Sequence, residues 1–121
     1  MRESLKDPGR LKHMLMAIDN AMSFMEGHTE EDLKGKSMLF FAIVKALEII
    51  GEAAYMLTPD FKENHPLTPW SQIVGFRHIL VHGYYQVEVS ELYNILQNDL
   101  LPLKEQVTDY IKEFGELDGE N

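Results

Sequence analysis

Apolar residues recur at three- and four-residue spacing along most of the chain, and this periodicity predicts helices almost throughout. Leu11, Met14, Leu15, Ile18, Met22 and Met25 form the first such stripe. Asp7 followed by Pro8 marks its start as an N-cap with proline at the first helical position, where the missing N–H is no loss, and Gly27 ends it. Thr29 with Asp32 predicts a capping box over a short turn, with Asp in the place more often taken by Glu or Gln. A second helix is expected from about Lys36 through MLFFAIVKALEIIGEAAYML. It is so dense in apolar residues that it belongs at the centre of the fold, and Thr58-Pro59 stops it. FKENHPL reads as a connector with room for one irregular turn. Thr68-Pro69-Trp70 repeats the cap-and-proline signal and opens a third helix carrying Ile73, Val74, Phe76, Leu80 and Val81. Gly83 is its expected end, because glycine accepts the left-handed conformation of a C-terminal cap. Val89, Leu92, Ile95 and Leu96 resume the spacing after Glu88. Pro102 removes one intrahelical bond, which predicts a kink or break around Asp99 to Leu101 and a last helix to about Phe114. No sustained two-residue alternation or Asn-Gly hairpin turn is present, so strands are not expected. The fold class is all-α, an up-and-down bundle of four or five helices. Residues 1–121 form a single domain with an acidic tail, GELDGEN, frayed from about 115.

Composition narrows the setting. The chain has 121 residues, 45% of them hydrophobic and 26% charged, the balance of an ordinary globular protein. Apolar runs such as Met38 to Val44 are interrupted by charge well short of the roughly 20 residues that span a bilayer. The amino terminus, MRESLKDPGR, lacks the apolar stretch of a secretory signal. With no cysteine there is no disulfide framework and no thiolate site, and a cytoplasmic location is the default expectation. The formal net charge of −9 argues against simple nucleic-acid binding, which is driven by Lys and Arg. Its distribution changes that picture, because the segment from His65 to Val87 holds no Asp or Glu and instead carries Arg77, His65, His78 and His82. A local site there is neutral or positive on an acidic body.

Most candidate motifs dissolve on inspection. Gly35-Lys36-Ser37 ends like a phosphate-binding loop, but Glu30 stands where its first glycine belongs and no strand precedes it. Glu48 and Glu52, one helical turn apart, lack the Glu-x-x-His partners of a di-iron bundle and read as solvated or salt-bridged. His78 and His82 share a helix face as zinc ligands do, without the intervening glutamate or an evident third ligand, so no metal is assigned. His13 and His28 read as surface residues.

The constellation that remains is RHILVHGYY, Arg77 to Tyr85. A permanent guanidinium fork suits a phosphate, and histidine gives and takes protons near neutral pH. These are the parts of a metal-free ribonuclease, in which a 2′-hydroxyl attacks the adjacent phosphorus while a histidine moves the proton and an arginine stabilises the phosphoryl charge. On one helix Arg77 and His82 point about 140° apart and sit about 7.5 Å apart along the axis. Two copies about a two-fold axis, with the helix ending near Gly83, would gather them. The plainer reading is that Arg77 neutralises a buried carboxylate and His82 rests near the negative end of its helix. Spacing alone favours the plainer reading, since an Arg and a His five apart recur by chance.

The order of motifs, an opening helix, ALEIIGEAA, TPW, GFRHILVHGYY and a helix ending DLLPL, resembles the HEPN-domain toxins of the HepT type over most of the length. Their Arg-x4-His signature is matched by Arg77 to His82, followed by Gly83-Tyr84, with His78 in a place where Asn is common. The resemblance implies a homodimeric helical bundle acting as a metal-independent endoribonuclease, with no cofactor, with Arg77 and His82 catalytic and His78 assisting. It further implies pairing with a minimal nucleotidyltransferase antitoxin that silences the toxin by AMP transfer to Tyr84, with Tyr85 as a second candidate acceptor. RNA, that antitoxin and a second copy are the expected partners, and a membrane is not. The alternative is a non-catalytic HEPN module that binds a nucleotidyltransferase partner or a nucleotide.

Overall fold

Every regular element of the computed structural model, which describes residues 6–118, is helical: α1 (Asp7–Met25), α2 (Met38–Met56), α3 (Pro59–Asn64), α4 (Trp70–Gly83), α5 (Val89–Asn98) and α6 (Leu100–Asp118), with short 3-10 turns at Glu30–Leu33 and Tyr84–Gln86. The expected all-α class holds, with six helices rather than four or five among the described residues. None of them is long and apolar enough to cross a membrane.

The helix α2 is the centre, as its apolar density requires. Gly35 and Lys36 both take positive φ (73° and 55°) and turn the chain into it. Ser37 then caps it, its Oγ accepting from the Phe40 N–H at 3.1 Å. Ser37, the residue that gave the motif its phosphate-loop look, thus satisfies a helix end. Against α2 lie α1 on one side and α4 on another, while α6 packs against the far flank of α1. The α1 stripe is seated as its spacing requires, with Leu11, Met14, Ile18 and Met25 buried and Leu15 and Met22 half-buried. Each fully buried side chain of this size contributes about 1.5–3 kcal/mol of transfer free energy.

Prolines stand at helix starts as expected, but the residues before them do not all act as caps. Thr58-Pro59 ends α2 and also starts α3, inside the expected connector: Thr58 Oγ1 accepts from the Phe61 N–H at 3.2 Å. Asp7 is the first residue of α1 and not its cap. Its carboxylate instead accepts from the Thr58 N–H at 2.9 Å and the Thr58 hydroxyl at 2.7 Å, tying the start of α1 to the α2–α3 junction. Thr68 is not a cap either, since Pro69 holds that position. Buried to 2% exposure, the Thr68 hydroxyl donates to Gln106 Oε1 and receives the Tyr110 hydroxyl, which answers the cost of burying a polar group. Gly83 ends α4, but with φ −156° it does not make the expected left-handed cap; the chain runs straight into the turn at Tyr84–Gln86. Pro102 produces the expected break at Asp99 and falls in the first turn of α6, where its missing N–H costs nothing. The last helix runs past Phe114 to Asp118, so residues 115–118 of the expected frayed tail are helical and residues 119–121 lie outside the described residues.

Phe61 anchors α3 in a ring cluster with Trp70, Tyr110 and Phe114, and stacks on His65 at 4.0 Å between centroids. His65 Nδ1 meets the Phe61 carbonyl at 2.8 Å and Nε2 meets Glu113 Oε1 at 2.9 Å. Burial works against the charged imidazolium, but the bonds to Glu113 and the Phe61 carbonyl outweigh it and raise the pKa above 6.5. A pKa raised on folding stabilises fully below the unfolded value and loses that contribution as pH rises through the folded one. The thermal midpoint of the wild type is therefore expected to fall, relative to His65→Gln, as pH is raised from about 6 to 9. Parallel pH profiles for the two proteins would remove His65 from this role.

Candidate active site

The site is built where α4 crosses α2. Along α4 only Trp70 and Leu80 are buried. The close approach is made at Gly51, where an added Cβ would lie 2.3 Å from the Arg77 Cβ. Glycine is needed there because the stem of Arg77 fills the space a side chain would take. That crossing fixes the direction of Arg77, whose Nη2 reaches Glu52 Oε1 at 2.7 Å and whose guanidinium lies 5.6 Å from the Tyr55 ring centroid. The Glu52 side chain is 53% exposed and that of Arg77 28%. The plainer reading of the sequence is thus met in part: Arg77 has a carboxylate partner, but a solvent-exposed one.

Beside this pair is a cleft of about 320 Å³ between α1, α2 and α4, lined by Arg10, His13, Lys45, Glu48, Glu52 and Arg77. Glu48 faces Lys45 at 3.9 Å, so both glutamates are salt-bridged, Glu52 to Arg77. Among the described residues no group of three or more His, Asp or Glu is arranged to hold a metal ion. A more apolar groove of about 390 Å³ lies along another flank of α4, against Leu100, Pro102 and Leu103. It carries none of the sequence-derived site residues.

The histidines of the motif stand elsewhere on α4. His78 and His82 are both exposed, their ring centroids 4.5 Å apart. His82 occupies the last turn, where the helix dipole favours a cation. His82 does not line the Arg77 cleft. The chain therefore brings His78 to His82 and Arg77 to Glu52, with neither histidine lining the cleft beside Arg77. Tyr84 follows directly in the 3-10 turn, half-buried, with its ring edge-on to Phe41 at 5.7 Å and to Tyr85 at 5.8 Å. Tyr85 is the more open of the two, 62% exposed. Of the surface histidines, His13 lines the cleft and His28 bonds Asp32 at 3.0 Å. The backbone N–H of Thr29 and then His28 hold the Asp32 carboxyl below its ordinary pKa.

Gly51, Arg10 and the partner role of Glu52 are the parts that sequence reasoning did not single out. Gly51 had a visible signal, an isolated glycine amid strong helix formers in ALEIIGEAA, which often marks a close packing contact. Arg10 had none, because its place in the cleft depends on how α1 meets α2.

Comparison with known proteins adds to this geometry. The family profile described as Ribonuclease HepT-like matches residues 14–110. The chain is 36% identical over 104 residues to the probable ribonuclease HepT of Thermococcus cleftensis, covering 86% of this chain and 93% of that one. It is 32% identical over 97 residues to a candidate RNase of Methanocaldococcus jannaschii, covering 80% and 89% of the two chains. A candidate RNase of Caldanaerobacter subterraneus is 31% identical over 102 residues, covering 84% and 91%. No solved structure matches the chain.

Proposed function

The chain belongs to the HepT-like ribonuclease family, and from that premise we propose that it is a metal-independent endoribonuclease whose site is completed by two protomers. The observation that carries the reading is a guanidinium held at the edge of a cleft by an exposed carboxylate, with an exposed pair of imidazoles further along the same helix. Arg77 binds the phosphoryl oxygens of the scissile linkage and stabilises the charge that grows there. His82 takes the proton from the 2′-hydroxyl as its oxygen attacks phosphorus. The bond to the 5′ oxygen breaks, a 2′,3′-cyclic phosphate forms, and His78 assists by supplying the proton to the departing oxygen. The separation of Arg77 from His82 within one chain supports assembly across a two-fold axis. So do the apolar side chains left exposed near the site, among them Met38, Phe41 and Ile49 of α2 and Ile79 and Val81 of α4.

A direct check of the shared site is to mix Arg77→Ala protomers with His82→Ala protomers. In a mixed dimer one guanidinium and one imidazole survive, on different chains, so cleavage should reappear well above that of either variant alone. Mixed dimers as inactive as their parents would place each site within one chain.

In this reading the enzyme is the toxin of a toxin–antitoxin pair, and a minimal nucleotidyltransferase silences it by AMP transfer to Tyr84. Added phosphates beside the motif would occupy Arg77 donors and place negative charge where RNA binds. Coexpression with such a partner should give a mass increment of one or more AMP units on Tyr84, lost in Tyr84→Phe. AMP found on Tyr85 alone would move the acceptor by one residue. The net charge of −9 favours one further reading, a non-catalytic module that binds the nucleotidyltransferase or a nucleotide. Copurification of such a partner without cleavage of single-stranded RNA would select it.

A further inference from the structure

The cleft at Arg77 contains a cation that the reaction above does not use. Arg10 reaches it from the first turns of α1, with Lys45 of α2 and Arg77 of α4 along the other walls. Arg77 has Glu52 at 2.7 Å and Lys45 has Glu48 at 3.9 Å. Arg10 has no ion-pair partner among the described residues, and its Nε is buried without a hydrogen bond. A buried guanidinium N–H with no acceptor is costly, and such groups are nearly always satisfied by something. The three cations of the cleft face two carboxylates, each already engaged, so the balance of charge there suits an anionic ligand. A guanidinium fork is matched best by the paired oxygens of a carboxylate or phosphate.

We propose that the cleft between α1, α2 and α4 is a second phosphate subsite, in which Arg10, with Lys45 and His13 beside it, binds the phosphate of a nucleotide flanking the scissile linkage. This rests on the ribonuclease reading: Arg77 shares the cleft and is the residue placed on the reacting phosphate, so the next anion within reach belongs to the same RNA strand. The subsite also answers the difficulty posed by net charge, since it puts a cluster of cations where the strand runs while the carboxylates face elsewhere or are paired. Arg10 is here a substrate-binding residue, remote from the bond that breaks.

The test uses the full chain and a short single-stranded RNA whose 2′ positions are all O-methylated, so that it binds without being cut. Arg10→Gln should weaken binding about tenfold, the scale of one charge-assisted hydrogen bond. It should also flatten the dependence of log affinity on log salt by about 0.7, the loss of one phosphate contact on a single strand. On unmodified RNA the defect should fall on KM, with kcat within about twofold of wild type. Arg10→Lys should recover most of the salt slope but not all of the affinity, because the ammonium lacks the planar fork. Lys45→Gln, at an exposed position that leaves folding intact, should weaken binding in the same sense by about threefold. Lys34→Gln, on the turn beyond α1, should do nothing.

Cleavage and binding by wild type with no change in affinity or salt slope in Arg10→Gln and Lys45→Gln would overturn the subsite alone. Loss of the dimer in Arg10→Gln, with RNA affinity per dimer unchanged, would assign Arg10 to a carboxylate of the second copy instead. Failure of the wild type to bind or cut any RNA would bring down the ribonuclease reading and this subsite with it.

Discussion

Alanine at Arg77 or at His82 is expected to lower RNA cleavage by at least about 100-fold in the presence of EDTA, the usual cost of removing a charge-stabilising donor or a general base. The folded protein should survive both changes. His82 is exposed, and substitutions at such sites usually move stability by no more than about 0.5 kcal/mol. Arg77→Ala leaves Glu52 unpaired, but that carboxylate is half in solvent, where an ion pair contributes little; the loss of the Arg77 stem over Gly51 and of its contact with Tyr55 costs about 1 kcal/mol more. Activity should therefore collapse while the protein stays folded, and His82→Ala, with no such packing to lose, should barely move the denaturation midpoint. Arg77→Lys should remain strongly impaired, because it keeps the charge and loses the planar fork. Cleavage by either alanine variant at the wild-type rate would end the proposal. Loss of wild-type cleavage on adding EDTA alone would point instead to a metal held by His78 and His82.

The second large effect should come from Gly51→Ala. In an exposed helix this substitution stabilises by up to about 1 kcal/mol. Here the new methyl would lie 2.3 Å from the Arg77 Cβ and 3.3 Å from its Cα, so α4 must move away from α2. Overpacking of this kind costs about 1–3 kcal/mol, and the sign of the helix preference is reversed. Gly75 supplies the control, since nothing lies within 4 Å of a Cβ there. Gly75→Ala should raise stability by about 0.5–1 kcal/mol while Gly51→Ala lowers it, both read from urea midpoints at constant slope. Because the displaced residue is Arg77, Gly51→Ala should also lose activity beyond its loss of folded protein. A stabilised, active Gly51→Ala would mean that the helices do not meet there.

Local rules carried most of the fold because most of its boundaries are local. The α1 stripe, the density of α2, the break before Pro102 and the reverse capping contact at Thr29, whose N–H bonds Asp32 at 3.0 Å, depend on residues a turn apart. Local signals mislead where a side chain has a distant partner. Asp7 looked like a cap, but its carboxylate is claimed by Thr58. Thr68 looked like a cap, but its hydroxyl is claimed by α6. Thr58-Pro59 carries a stop signal, yet the same pair also starts a helix, and the six residues of α3 are too few to show a stripe. The site divides in the same way. Arg77, His78, His82 and Tyr84 are a run in one segment and could be named from it. The cleft is a product of three helices, and neither Arg10 nor the fit of Arg77 over Gly51 can be seen before those helices are packed.

The short contact between Arg77 and Glu52 bears directly on the proposed binding of a phosphate at Arg77. The resting protein lends its guanidinium a carboxylate of its own, which keeps the fork oriented before a ligand arrives and so lowers the entropy lost when one does. If Arg77 takes the phosphate as proposed, binding is an exchange of one anion for another, and its strength is the difference between two interactions of similar kind. On that reading Glu52, already half in water, would leave at small cost and return as the cleaved strand departs, a built-in competitor that favours turnover over retention of product.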